Sequence, residues 1–220
     1  MKYTQKQANT SPRTAMQAVA LLVTAVLGVS PAWAAHYTLQ HQDPSGIYRI
    51  DPNHSLAWFT VGHAGVAVVV GRFDTMTGTY RISRSHPTRD TASITIPTAS
   101  INTDFAMRDN DLRGPDFLNV KVFPQARFVS QRYVATSATT GSLYGRLTLH
   151  GITRPVLLHV REIGAGPVGL PKPWGGYVSG YEATTVINRQ VFGIDAYPGM
   201  IADQIHLHFN IEGVRIGKQP

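Results

Sequence analysis

Two histidines, His54 and His63, bracket an apolar run in the stretch HSLAWFTVGHAG, nine positions apart. A pair of imidazoles could share a metal ion or a proton-transfer task. On an uninterrupted strand, residues nine apart face opposite sides, because the side-chain period is two. They converge only if a bulge at Gly62 shifts the register, so both are expected as hydrogen-bonded residues at strand ends. His206 and His208 do share a face, and a strand H-x-H can hold zinc. No third ligand is named by the sequence, however, and a solvated outer surface is expected there. Asp109-Asn110-Asp111-Leu112-Arg113-Gly114 imitates the start of a calcium loop. Arg113 stands where an oxygen ligand belongs, and the twelfth position is Val120 instead of Glu. The alternating acids and bases Asp104, Arg108, Asp109, Arg113 and Asp116 are expected to tie a helical turn together and rim a cleft. No metal site is expected.

Nucleophile chemistry finds equally little support. There is no G-x-S-x-G, and Ser55 beside His54 points away from it on a strand. Glu162, Glu182 and Glu212 are the only glutamates, none paired in sequence. No glycine-rich phosphate loop precedes a helix. With no cysteines, disulfides, thiolate metal sites, thiol nucleophiles and lipid attachment at a processed terminus are all excluded.

The elements that could position these groups begin after an expected secretory signal. Lys2, Lys6 and Arg13 precede an apolar stretch from Ala15 to Val29, and Ala32-Trp33-Ala34 supplies a small-x-small site. The apolar stretch is shorter than the roughly 20 residues of a spanning helix and is interrupted by Gln17 and Thr24. Cleavage after Ala34 is expected, followed by a leader over 35–47 and a single domain over 48–220. The three signal charges account for part of the +7 formal charge and leave +4, spread along the chain. A surplus that small supports solubility and does not call for nucleic acid.

From Tyr48 onward, short period-two segments predict strands. These are Leu56–Val61, Val66–Val70, Met76–Ser83, Thr91–Ile96, Ala126–Val134, Ser142–His150, Pro155–Glu162 and Val178–Ile187. One more segment closes the series and is the clearest, with Ile205, Leu207, Phe209 and Ile211 alternating against His206, His208, Asn210 and Glu212. Residues 104–118 lack that pattern and predict a short helix. The Gly/Pro-rich 164–176 reads as a long loop. The sum is all-β with minor α: an antiparallel sandwich or barrel.

Strings of residues carry the next step. Tyr48-x-x-Asp51, His54-Ser55, Phe59, His63 and Gly71-Arg72-Phe73 resemble the opening of the YceI-like family of exported polyisoprenoid-binding proteins. So do Arg108-Asp109-x-x-Leu112-Arg113, Asp116-Phe117 and Phe123-Pro124. The stretch Gly145-x-Leu147-Thr148-x-His150-Gly151-Ile152-Thr153-Arg154-Pro155-Val156 looks like that family's most recognisable block. Gly180-Tyr181-x-Ala183 and Asn188-Arg189-x-x-Phe192-Gly193 complete the resemblance over about residues 47 to 213. The chain departs from the pattern at Leu118-Asn119, where the family often has an aromatic and an acid. It departs again at Tyr181, which replaces a common Phe.

The resemblance implies a lipocalin-like antiparallel β-barrel of about eight strands with one short helical segment, enclosing an elongated apolar tunnel. It implies a long isoprenoid, or another amphiphilic lipid, as partner, with no other cofactor. Walls are expected from Phe59, Val61, Phe73, Ile94, Phe117, Leu118, Phe128, Leu147, Phe192, Ile205 and Leu207. Head-group candidates are His63, Arg72, Arg108 and Arg113. Burial of about 0.8 kcal/mol per CH₂ lets such a site bind with few polar contacts, which leaves little motif behind. A non-catalytic periplasmic carrier is the leading expectation, and a barrel hydrolase or isomerase acting on an apolar substrate is the alternative. A membrane-embedded barrel is not expected, because the outer face of the last strand is polar. A homodimer contact would fall on the Trp58 side of the first long strand.

Overall fold

In the computed structural model of the protein, residues 40–171 and 175–217 are described. The expected signal over 1–34 therefore lies outside the described residues. Eleven strand segments form one antiparallel sheet: β1 (Gly46–Ile50), β2 (Leu56–His63), β3 (Ala67–Phe73), β4 (Thr77–Ile82), β5 (Thr91–Pro97), β6 (Ile101–Asn102), β7 (Gln125–Ala135), β8 (Thr140–Leu149), β9 (Ile152–Val168), β10 (Gly176–Asn188) and β11 (Ile201–Gly217). Their order is β1-β4-β5-β7-β8-β9-β10-β11-β2-β3-β6, and β1 also pairs with β11, which closes the ring.

The closure follows from three bends. β1 and β2 run along the same long strand: β11 pairs with β1 through Gly213–Gly217 and with β2 through residues 201 to 210. Pro52 interrupts them, since it cannot donate to a ladder. There the Asp51 side chain accepts from the Asn53 N–H at 2.9 Å and turns the chain. β3 passes into β4 through Asp74–Met76, and β5 into β6 through Pro97 and a 3₁₀ turn over Thr98–Ser100. Counted as continuous strands, the result is an eight-stranded closed barrel with one helix.

β6 pairs with β3, and the wall beyond it is completed by helix α1 (Ala106–Arg113) and residues 114–124. The Thr98 N–H donates to the Pro124 carbonyl at 3.0 Å, and its hydroxyl to Phe123 O at 2.7 Å. α1 is short and weakly amphipathic, so its own charged residues fix it. Buried Asp109 accepts from the Thr103 N–H at 2.8 Å, and Arg113 donates to Ala99 O at 2.9 Å and Ile101 O at 2.6 Å.

Two clusters pack the barrel ends. Tyr48, Ile50, Met76, Tyr80 and Leu158 fill the end where the ring closes, and Phe59, Ile101, Phe117, Leu118 and Ile194 fill the α1 end.

The predicted strands are all present, and two features differ from the sequence reading. β1 and β6 are strands of their own. The segment read as a loop from 164 is strand through Val168, because it pairs with Gly176–Gly180 of β10, and the chain at Gln40–Gln42 lies along it as well. The Gln42 N–H donates to Ala165 O at 2.9 Å, and Ala165 N–H donates to Gln40 O at 2.6 Å. Gly164 and Gly166 serve close approach: a Cβ at either would collide with Gln40.

Candidate functional site

The strand register decides what the barrel encloses. Tyr181 pairs with Ile211, Ala183 with Phe209, Thr185 with Leu207, and Ile187 with Ile205. Across the next ladder Phe209 meets Ala57, Leu207 meets Phe59, and Ile205 meets Val61. These inward rows border a cavity of about 520 Å³ whose wall is almost wholly apolar. Three rings are kept against the wall by glycines. Phe59, Phe128 and Tyr80 lie over Gly71, Gly145 and Gly213, where any side chain would drive the ring into the lumen.

Phe59, Val61, Phe73, Ile94, Phe117, Leu118, Phe128, Leu147, Ile205 and Leu207 all line this cavity. Phe192 does not. It belongs to a 3₁₀ turn over Arg189–Phe192 and is buried on the outside of the barrel, where its carbonyl lies 3.1 Å from His150 Nδ1. Of the head-group candidates, His63 and Arg108 line the cavity near α1. Arg108 donates to Thr103 Oγ1 and Thr103 O, both at 2.8 Å. Arg72 faces outward, paired with Asp74 at 2.9 Å and Asp104 at 3.3 Å. Its neighbour Phe73 points inward, so period two sends Arg72 to the other side. Arg113 lies outside the lining because the carbonyls of Ala99 and Ile101 hold its guanidinium.

The opening histidines also separate. His54 precedes β2 and bonds Asp51 through Nδ1 at 2.9 Å; the Asp51 hydrogen bond raises the imidazole above its usual range. Asp51, His54 and Glu212 place donor atoms within 4.8 Å of one another, a grouping the sequence did not disclose. It sits beside the outer face of β11, away from the lumen. On that face too, Trp58 stacks on His208 with ring centroids 3.8 Å apart.

A second cavity, about 260 Å³, occupies the other end. Ile94, Leu158, Ala183 and Ile211 line both voids and form a waist between them. Here the wall turns polar. Arg84 Nη2 bonds both carboxylate oxygens of buried Glu162 at 2.9 Å. Tyr80 stacks on Tyr48 at 5.0 Å and bonds Ser179 O at 2.9 Å. Tyr181 meets Tyr80 edge-on at 5.6 Å. Burial raises the hydroxyl pKa of both Tyr80 and Tyr181, so both are neutral donors.

Asp90, 8% exposed, accepts from the Ser83 N–H at 2.7 Å. Burial pushes its carboxyl up to about 6, against that hydrogen bond and the charge of Arg84. An acid raised in the folded state is stable when protonated. Its cost is absent below the ordinary carboxylate range and grows as pH rises toward 6. Above that it amounts to roughly 2–3 kcal/mol. Asp90→Asn keeps the acceptor for Ser83 and removes the charge. It is expected to raise the melting temperature by roughly 5–8 °C at pH 7.5 and leave it unchanged at pH 4. Parallel pH profiles of melting temperature for the two proteins would contradict this.

The YceI-like domain pattern matches residues 48–213, most of the chain. The protein belongs to the YceI-like family. A UPF0312 protein of Pseudomonas aeruginosa is 35% identical over 170 residues, covering 76% of this chain and 86% of its own. Another UPF0312 protein, of Ectopseudomonas mendocina, is 33% identical over 198 residues, covering 90% and 96%. Among solved structures, BcnA of Burkholderia cenocepacia superposes with a TM-score of 0.65 at 19% identity, covering 74% of this chain and 98% of its own. A polyisoprenoid binding domain from Saccharophagus degradans, implicated in plant cell wall breakdown, gives 0.56 at 17% identity, covering 76% and 98%. The two structures share this YceI-like barrel fold.

Within that barrel the sequence pointed to the walls and missed what shapes the two ends. Arg189, only 3% exposed, gathers the carbonyls of Ile194, Ala196, Ile201 and Ala202 at 2.8–3.2 Å. It thereby sets the loop that carries Tyr197 and Met200 to the rim of the larger cavity. The only sequence signal was its place in the Asn188-Arg189 block.

Proposed function

We propose that the protein is a carrier that holds a long isoprenoid chain, or an amphiphile of comparable length, inside its barrel. The observation that carries this is the apolar cavity of about 520 Å³, continued at its waist by a second, polar-ended one. Hydrocarbon in such a space gains about 0.8 kcal/mol per buried CH₂, less the cost of ordering the chain. Membership of the YceI-like family supports the reading, as does the fold shared with the Saccharophagus degradans polyisoprenoid binding domain. The His–carboxylate group at Asp51, His54 and Glu212 lies outside the lumen, where it cannot meet a substrate held in the barrel. Binding, not turnover, is the function this arrangement serves. The basic, apolar and small-x-small order of residues 1–34 supports a periplasmic site of action.

The test is to express the full chain in a bacterial host, release it by osmotic shock and purify it without detergent. Solvent extracts are then weighed by mass spectrometry. A prenyl-chain lipid in stoichiometric amount is expected in the osmotic-shock fraction. Protein retained in the cytoplasm would refute the location, and lipid-free protein from a prenyl-lipid-rich host would refute the carrier.

A further inference from the structure

Where the ring closes, the outer face of the barrel carries side chains that the lumen does not use. Asp51 and His54 stand on the bend between β1 and β2, and Glu212 stands beside them on β11. Bonds to the backbone hold the three in place. The Asp51 N–H donates to Glu212 O at 2.8 Å. Ser55 Oγ donates to the same carbonyl at 3.1 Å and accepts from the Glu212 N–H at 3.0 Å. Asp51, only 9% exposed, spends Oδ1 on the Asn53 N–H, which leaves Oδ2 aimed at His54. His54 Nδ1 lies 2.9 Å from that oxygen and 3.8 Å from Glu212 Oε1. Among the described residues, neither carboxylate pairs with a lysine or an arginine. One imidazole thus faces two carboxylates. The position across the ladder from Glu212 is Gly180, which places no side chain over the group.

We propose that Asp51 Oδ2, His54 Nδ1 and Glu212 Oε1 bind a divalent transition-metal ion of the zinc type. Ligands about 2.1 Å from a tetrahedral ion stand roughly 3.4 Å apart, and the separations of 2.9 and 3.8 Å bracket that value. The ion takes the place of the proton held between His54 and Asp51, which leaves to solvent. Water completes the shell on the open side, where His54 is 48% exposed. The bond from Asn53 to Asp51 is the outer contact that orients a ligating carboxylate. The nitrogen donor selects the class of metal. Calcium and magnesium favour shells made wholly of oxygen, and here one donor of the three is an imidazole. Bound there, the ion fastens the bend to β11, the strand that pairs with both β1 and β2.

The experiment uses the full-length chain without a histidine tag, stripped by chelation and titrated with Zn²⁺, Co²⁺ and Ca²⁺. One Zn²⁺ per chain is expected, bound about a hundredfold or more tighter than Ca²⁺. Co²⁺ should give a visible d–d band that excess Zn²⁺ abolishes. With free Zn²⁺ at about a hundred times its Kd, the melting temperature should rise by roughly 5–10 °C. Glu212→Gln preserves the size of a side chain that is 35% exposed. The metal-free variant should melt within about 3 °C of the wild type, yet bind Zn²⁺ about tenfold or more weakly. His54→Ala should lose about a hundredfold or more, because it removes the one nitrogen. The double variant His206→Ala and His208→Ala, farther along β11, should keep its Zn²⁺ affinity within about twofold. A wild type whose melting temperature ignores Zn²⁺ would overturn the proposal. So would a Zn²⁺ affinity unchanged by Glu212→Gln, or one lost with His206 and His208 instead.

Discussion

Arg189→Ala is expected to lower the melting temperature by about 10–15 °C. The guanidinium is buried and donates to four backbone carbonyls between Ile194 and Ala202, at 2.8 to 3.2 Å, with Asp203 at 3.4 Å. Ile194 and Ala196 lie in irregular backbone, and Ile201 and Ala202 at the start of β11 where its register against β2 shifts, so these carbonyls lean on the fork of one side chain. Removing the fork strands several acceptors at once. Loss of a buried, fully bonded charge costs about 3–5 kcal/mol. A domain of this size loses about 2–4 °C per kcal/mol. Arg189→Lys retains the charge but cannot reach four carbonyls, and should fall in between. Proteolysis should first cut between residues 193 and 201, since this segment owes its shape to Arg189. Thermal unfolding by circular dichroism decides it. A loss below 3 °C would mean that the carbonyls find other partners cheaply.

Arg189 also marks the limit of what the chain discloses. Period-two alternation made the lumen legible: the β11 row from Ile205 to Ile211 and the β2 pair Phe59 and Val61 point inward because burial on one face fixes register. The same rule, applied to adjacent positions, would have placed Arg72 opposite Phe73 and removed it from the head-group candidates. Phe192 escaped because it follows the strand's end, where alternation carries no information. Other features depend on partners far away in sequence. Gly164 and Gly166 read as loop residues until Gln40 is laid beside them. Arg113 reads as a free cation until α1 turns it onto the carbonyls of β6 and the turn before it. Tyr181 was visible as a departure from a family pattern. That its buried hydroxyl ends in the smaller cavity with no partner among the described residues is something only tertiary structure shows.

The waist offers the sharpest control over ligand length. Ala183 is 4% exposed, sits between Val160 and Phe209 in the sheet, and borders both cavities. Its methyl group is the smallest side chain where the two voids meet, beside Ile94, Leu158 and Ile211 from other strands, and a tail reaching from one void to the other passes here. Ala183→Phe would place a ring across that passage. Overpacking a filled core costs about 1–3 kcal/mol, but here the ring enters existing space, so the fold should tolerate the change. A ligand confined to one side of the ring loses the burial of every carbon beyond it. Four excluded carbons already amount to about 3 kcal/mol, more than a hundredfold in affinity. Squalene should therefore lose at least a hundredfold, while a ten-carbon prenol, short enough for one cavity, should bind within a few-fold of wild type. The ratio of the two dissociation constants is the diagnostic, because general damage to the barrel would weaken both. If Ala183→Phe held squalene as tightly as the wild type, the two cavities would not be one tunnel, and no ligand would span both.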